Sequence, residues 1–266
     1  MSKKLTIFDI TMEFEILSKS KARELKGLAS KKIRDREKLF LAEGEKCVLA
    51  TLGAFDLEFL IASSQWLQSH SDLPQDVMKK IRKADMKTIS IFSTLSTPSE
   101  VTAVFRKPDG YEVVPELNQD SLYVLLDEIQ DPGNLGTIIR TCDWFGVYDI
   151  FASANTADVY SPKVVQATMG SLRRVRVHYV DIGELIDKNR QLPVIGTLLN
   201  GSPLQSVKPQ KGGMILLGNE GRGISDNLRE KIDVPVTIPP VNSSSHPDSL
   251  NVAIANGIVL SHFRKI

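Results

Sequence analysis

The chain has 266 residues, 42% hydrophobic and 24% charged, with a formal net charge of +1. This is the profile of a globular protein with one large domain or two small ones. No run of about 18 or more apolar residues occurs, which excludes a membrane-spanning helix. The two cysteines, Cys47 and Cys142, cannot build a disulfide framework and lack metal-ligand spacing, so no metal and a reduced, cytoplasmic setting are expected.

The opening "MSKKLTIFDITMEFEILSKS" is basic and then broken by acidic residues, so it does not read as a secretory signal. Charge is uneven along the chain. Residues 1–110 carry 19 basic and 15 acidic residues, and residues 111–266 carry 14 and 17. The densest stretch is "KSKARELKGLASKKIRDREK", residues 19–38, with nine basic and three acidic residues. It reads either as a solvated helix face or as a surface that contacts phosphates and releases their counterions.

"EFEILSKSKARELKGLA" has helical spacing through Phe14, Leu17, Leu25 and Leu28. "KLFLAEG" reads as a strand, "EKCVLATLG" as a helix stopped by Gly53, and "LEFLIAS" as a strand. "QDVMKKIRKA" reads as a helix and "KTISIF" as a strand. "TPSEVTAVF" starts a helix or a turn at Pro98 and runs into a last strand. Together these predict a small α/β domain over 1–110. The Pro-, Gly- and Asp-bearing stretch 106–120 predicts a boundary.

From 118 to 266 strand and helix alternate. Strands are predicted at 122–129, 148–153, 175–180, 193–199, 213–218 and 234–238. Helices are predicted at 135–146, 161–170, 182–190, 225–231 and 249–264. Several strands are apolar throughout, which implies a parallel sheet covered on both faces. Ligands of such sheets bind beyond the carboxyl ends of the strands.

Three loops at those ends stand out. "QDPGNLGTIIRTCDWFG" reads as a βα turn capped by Asn134, with Leu135, Ile138, Ile139, Cys142 and Phe145 on one face. Arg140 lies off that stripe, where it either points to water or serves a site. "LGNEGRGIS" brackets Asn219 and Glu220 with glycines that let backbone approach a ligand. It lacks the dinucleotide G-x-G-x-x-G spacing and the phosphate-loop Lys-Ser/Thr pair. "IPPVNSSSHPDSLNVAIANGIVL" predicts a buried helix capped by Ser249, with Asn251 as an amide in need of partners. His246 reads as a loop residue rather than a metal ligand.

In order and spacing these three loops resemble the motifs of the SpoU (TrmH-like) branch of the SPOUT RNA methyltransferases, over about 120–266. The first region, through "LKGLASKKIRDREKLFLAEGEKCV", looks like that family's ribosomal-protein-like RNA-binding domain. The resemblance implies an α/β knotted domain, a parallel sheet with a deep trefoil knot, at 118–266, behind a substrate-binding domain at 1–110. It implies 2′-O-methylation of a ribose in structured RNA, S-adenosylmethionine as donor, and a homodimer through the C-terminal domain. It places Asn134, Arg140, Glu220, Ser249 and Asn251 in the active site, with the donor on Thr197, Gly218, Asn219, Ile238 and Leu250.

The family assigns activation of the 2′-hydroxyl to the Arg at position 140. A guanidinium stays protonated in proteins. Its chemistry suits holding the adjacent phosphate or stabilising the developing alkoxide. Glu220 is expected to orient Arg140 or loop backbone. The stretch "NSSSHPD" departs from the shorter glycine-bearing turn of many relatives, on the side expected to face RNA. The two-domain layout favours ribosomal over transfer RNA. A non-catalytic RNA-binding protein of ribosome assembly and a doubly wound nucleotide-binding enzyme are the other readings. The presence of Asn134, Arg140 and Asn251 argues against the first, and the missing G-x-G-x-x-G against the second.

Overall fold

The computed structural model describes residues 13–108, 114–241 and 249–264. The opening residues, the middle of the expected boundary, and the "NSSSHPD" loop with His246 therefore lie outside the described residues. The chain forms two compact units, Met1–Pro108 with Tyr160–Gln166, and Asp109–Val159 with Ala167–Ile266.

The first unit holds β1 (Glu15–Ile16), α1 (Lys19–Lys26), α2 (Lys31–Glu37), β2 (Leu39–Glu43), α3 (Glu45–Thr51), β3 (Leu57–Ala62), α4 (Ser64–Ser69), α5 (Gln75–Met78), β4 (Ile81–Lys83), α6 (Met86–Ile89) and β5 (Val101–Arg106). Its sheet runs β1-β4-β3-β5-β2. β3 pairs parallel with β4 and antiparallel with β5, and β2 pairs antiparallel with β5. Leu25, Leu28, Leu41, Ile61, Phe92 and Val104 share one core.

Three expectations in this unit fail for local reasons. The helix begins after Ser18, whose side chain accepts from the Lys21 N–H, so Phe14 and Leu17 precede it. "QDVMKKIRKA" divides into α5 and β4, with Ile81–Lys83 paired to β3. "KTISIF" is not a strand: its first three residues belong to α6 and residues 90–92 to the turn after it, because the Asp85 side chain accepts from the Thr88 N–H and starts the helix. Residues 160–166, which the sequence places within the second region, bring Tyr160 against Phe40, with ring centroids 4.9 Å apart.

The second unit holds β6 (Leu122–Leu126), α7 (Pro132–Trp144), β7 (Asp149–Ala152), α8 (Pro162–Thr168), β8 (Arg176–Tyr179), α9 (Ile182–Lys188), β9 (Val194–Pro203), β10 (Gly213–Leu217), α10 (Asp226–Arg229), β11 (Val234–Thr237) and α11 (Val252–Phe263), less the part of α8 that clusters with the first unit. Its six-stranded sheet runs β11-β9-β10-β6-β7-β8, with every pairing parallel. β6 and β10 are buried along their whole length, as their unbroken apolar runs require. Tyr123, Leu125, Met214 and Leu216 pack with Ile182, Leu185 and Ile186 of α9 on one face. Alternation turns Val124, Leu126, Ile215 and Leu217 to the other.

The chain leaves β6 toward β7 and β8, then crosses back to β9 and β10 on the other side. The order therefore reverses between β6 and β10, which makes the loops after these strands the switch point where ligands of open α/β sheets sit. β9 runs past its expected end at 199. Its pairing with β11 jumps from Gly196 to Ser202, so residues 197–201 loop out of register. No helix among the described residues is long and apolar enough to cross a membrane.

Candidate active site

α7 starts one turn earlier than the sequence suggests. Its N-cap is Asp131, whose carboxylate accepts from the Asn134 N–H at 2.8 Å, with Pro132 in the first turn. Asn134 is thus not the cap, and its side chain is free for other work. Its Nδ2 donates to Glu220 Oε1 at 3.0 Å, and its Oδ1 accepts from Asn251 Nδ2 at 2.8 Å.

Asn251, rather than Ser249, caps α11. Its Oδ1 accepts from Ala253 N–H at 2.9 Å and Ile254 N–H at 3.3 Å. A carboxylate only accepts, so Glu220 turns the Asn134 amide nitrogen toward itself and the Asn134 oxygen toward Asn251. Asn251 must then present its nitrogen to Asn134 and its oxygen to the helix. One donor direction runs through the whole relay, from the N-terminus of α11 to Glu220, and joins the loops after β6, β10 and β11.

Arg140 lies two turns along α7, exposed and without a hydrogen bond or ion pair among the described residues. Glu220 meets Asn134 and not Arg140. Its other oxygen lies 3.5 Å from the Gln130 N–H. Ser249 is exposed and makes no side-chain hydrogen bond among the described residues. Asn251 is exposed as well. The buried amide of α11 is Asn256, 0% exposed, whose Nδ2 lies 3.9 Å from the Cys142 sulfur. Burial pushes the Cys142 thiol up to about 12 and the Cys47 thiol up to about 11, so neither is a thiolate nucleophile near neutral pH.

The other expected residues cluster at neighbouring strand ends. Thr197 lies in β9 with its hydroxyl donating to Leu216 O at 3.2 Å. Gly218 and Asn219 follow β10, and Ile238 follows β11. A Cβ on Gly218 would fall 2.3 Å from the Gly223 carbonyl carbon, so only glycine lets this turn close. Leu250 is 51% exposed and Leu199 76% exposed. Uncovered apolar side chains beside strand-end peptide groups suit a flat, polar-edged ring such as adenine, so these residues fit S-adenosylmethionine.

The sequence reading missed Asp131 as the cap, although Asp before a Pro-Gly pair is a helix-start signal. It also passed over Glu128, which has a φ of 58°, and its partner Arg222, because nothing in a sequence marks a left-handed glutamate.

Residues 121–261 match the SpoU rRNA Methylase family, and residues 19–103 match the MRM3-like substrate binding domain. The chain belongs to the SpoU rRNA methylase family. It is 30% identical to the 23S rRNA (guanosine(2553)-2'-O)-methyltransferase RlmP of Bacillus subtilis, over 95% of this chain and 99% of that one. A putative RNA methyltransferase of the TrmH family from Porphyromonas gingivalis is 36% identical, with a TM-score of 0.80 over 94% of this chain and 98% of that one. The AdoMet-bound rRNA methyltransferase of Sinorhizobium meliloti is 29% identical, with a TM-score of 0.78 over 94% and 97%.

Proposed function

We propose that this protein transfers a methyl group from S-adenosylmethionine to the 2′-oxygen of a ribose in ribosomal RNA. The observation that carries the reading is the relay Asn251–Asn134–Glu220, which brings the three motif loops together at the sheet's switch point, at the start of the helix that carries Arg140. Family membership and the rRNA substrates named for its relatives support it.

Thr197, Gly218, Asn219, Ile238 and Leu250 hold the donor. S-adenosylmethionine supplies a methyl group that is already electrophilic on its sulfonium, so the chemistry asks the protein for position and charge. As the 2′-oxygen takes the methyl group, the methyl–sulfur bond would break to release S-adenosylhomocysteine, and the hydroxyl proton would pass to solvent water. Arg140 carries a fixed positive charge that holds the neighbouring phosphate or stabilises the alkoxide as it forms. Ordering the oxygen in line with the methyl supplies much of the rate. The relay fixes the first turn of α7, and so the direction in which Arg140 leaves the helix. Ser249 belongs to the same loop end and lines it.

The proposal includes a homodimer through the C-terminal domain. α7 and α11 leave a groove lined by Thr137, Thr141, Ala253, Ile254, Gly257 and Ile258, in which Ile254 is 55% exposed. It also includes the knotted path of the C-terminal chain, which rests on family membership. The cytoplasm, with its ribosomal RNA and reduced thiols, is the proposed compartment.

Arg140→Ala is expected to lower methyl transfer by roughly a hundredfold or more, while calorimetry still detects donor binding. Wild-type turnover in that variant would refute the role given to Arg140.

A further inference from the structure

Glu128 sits between β6 and α7 with a φ of 58°. Lys38 and Met169 share this left-handed conformation, but both end helices, where it is common. Glu128 lies in the loop two residues beyond β6, where no helix end accounts for this conformation, and a residue with a Cβ is disfavoured in it. Every polar group it owns is engaged. Its N–H donates to Ser153 Oγ at 2.9 Å, and its carbonyl accepts from Asn219 Nδ2 at 2.8 Å. Its carboxylate accepts from Asn155 Nδ2 at 2.8 Å and from the Arg222 guanidinium. One residue therefore ties together the loops after β6, β7 and β10.

The turn that carries Glu220 hangs on these bonds. Asn219 Oδ1 accepts from the N–H groups of Gly221 at 3.0 Å and Arg222 at 3.1 Å. Asn219 and Gly223 exchange backbone hydrogen bonds at 3.0 and 2.9 Å. Glu128 grips the turn at Asn219 through its carbonyl and at Arg222 through its carboxylate, with Glu220 between the two. An ordinary surface ion pair would do little. Here the pair is held in a backbone conformation that glycine would adopt more easily, and strain of this kind persists where the side chain has work to do.

We propose that Glu128 is a positioning residue: through Arg222 and Asn219 it sets the turn that presents Glu220 to Asn134. Its catalytic consequence rests on the methyltransferase reading above.

Glu128→Gly separates the two roles of this residue, because it relaxes the backbone while removing the carboxylate. The expected result is a thermal midpoint at or above that of the wild type, faster amide exchange at Gly221 and Arg222, and kcat/KM lower by roughly ten- to hundredfold. A purely structural glutamate would instead leave kcat/KM of the folded enzyme untouched. Glu128→Lys combined with Arg222→Glu is expected to recover part of the activity lost in either single variant. Wild-type kcat/KM in Glu128→Gly, or unchanged exchange at Gly221 and Arg222, would overturn the proposal. Absence of methyl transfer by the wild-type protein would count against the reaction, and exchange in Glu128→Gly would then decide the positioning role by itself.

Discussion

Asn134 and Asn251 show how much depends on which atom does the capping. The sequence makes both residues prominent, but it assigns the caps to Asn134 and Ser249. Asp131 and Asn251 hold those places, and the shift frees the Asn134 amide to bridge. The Asn251 amide serves two masters, its oxygen for the helix and its nitrogen for Asn134. Two substitutions divide these duties. Asn251→Ala removes both, and is expected to cost about 1 kcal/mol of stability along with most of the activity. Asn251→Asp keeps the cap but has no donor for Asn134 Oδ1, so the thermal midpoint should stay near that of the wild type while kcat/KM falls roughly tenfold or more. Melting curves and steady-state rates on both variants check this. Wild-type activity in Asn251→Asp would remove the relay from the account.

At the scale of the element, the strands of the second unit were legible because burial on both faces writes itself as unbroken apolar runs, as in "LYVLL" and "GMILL". The short elements of the first unit were not. α5 and α6 have four residues each, too few for a period to appear, and in α6 a single side-chain cap, Asp85, decides the state. α11 was half read. Its apolar residues do run nearly all round, but only one side is covered: Val259, Leu260 and Phe263 are buried while Ile254 and Ile258 face outward. Periodicity cannot say whether such a face meets the same chain or a second copy. If this face forms the proposed dimer, the wild type sediments as a dimer and Ile254→Asp with Ile258→Asp as a monomer, because charges in an apolar interface give up hydration without gaining partners. An unchanged sedimentation coefficient would contradict the dimer face.

At the scale of the whole molecule, the proposed function assigns RNA capture to the first unit and chemistry to the second, as the two family matches suggest. Lys19, Arg23, Lys26 and Lys32 are exposed and make no ion pair among the described residues. The basic run is not uniformly outward. Arg34 is 2% exposed and donates to Leu28 O and Ala29 O, so it holds the turn between α1 and α2. Residue counts alone could not separate that structural cation from the surface ones. Replacing Lys19, Arg23, Lys26 and Lys32 by Gln is expected to weaken ribosomal RNA binding and to make its salt dependence shallower, by about 0.7–0.9 in log–log slope for each phosphate that is no longer neutralised. Unchanged affinity and slope in a binding titration would show that these four residues do not touch RNA.

Arg140 and the relay are proposed to serve transfer of a methyl group to a ribose oxygen. The most direct test of this role is to incubate the protein with ribosomal RNA and S-adenosylmethionine labelled in the methyl group, digest the RNA to nucleosides, and locate the label. Label is expected in a 2′-O-methylnucleoside with the wild type, and nearly none with Arg140→Ala. Label on a base, no label with the wild type, or full label with Arg140→Ala would contradict that role.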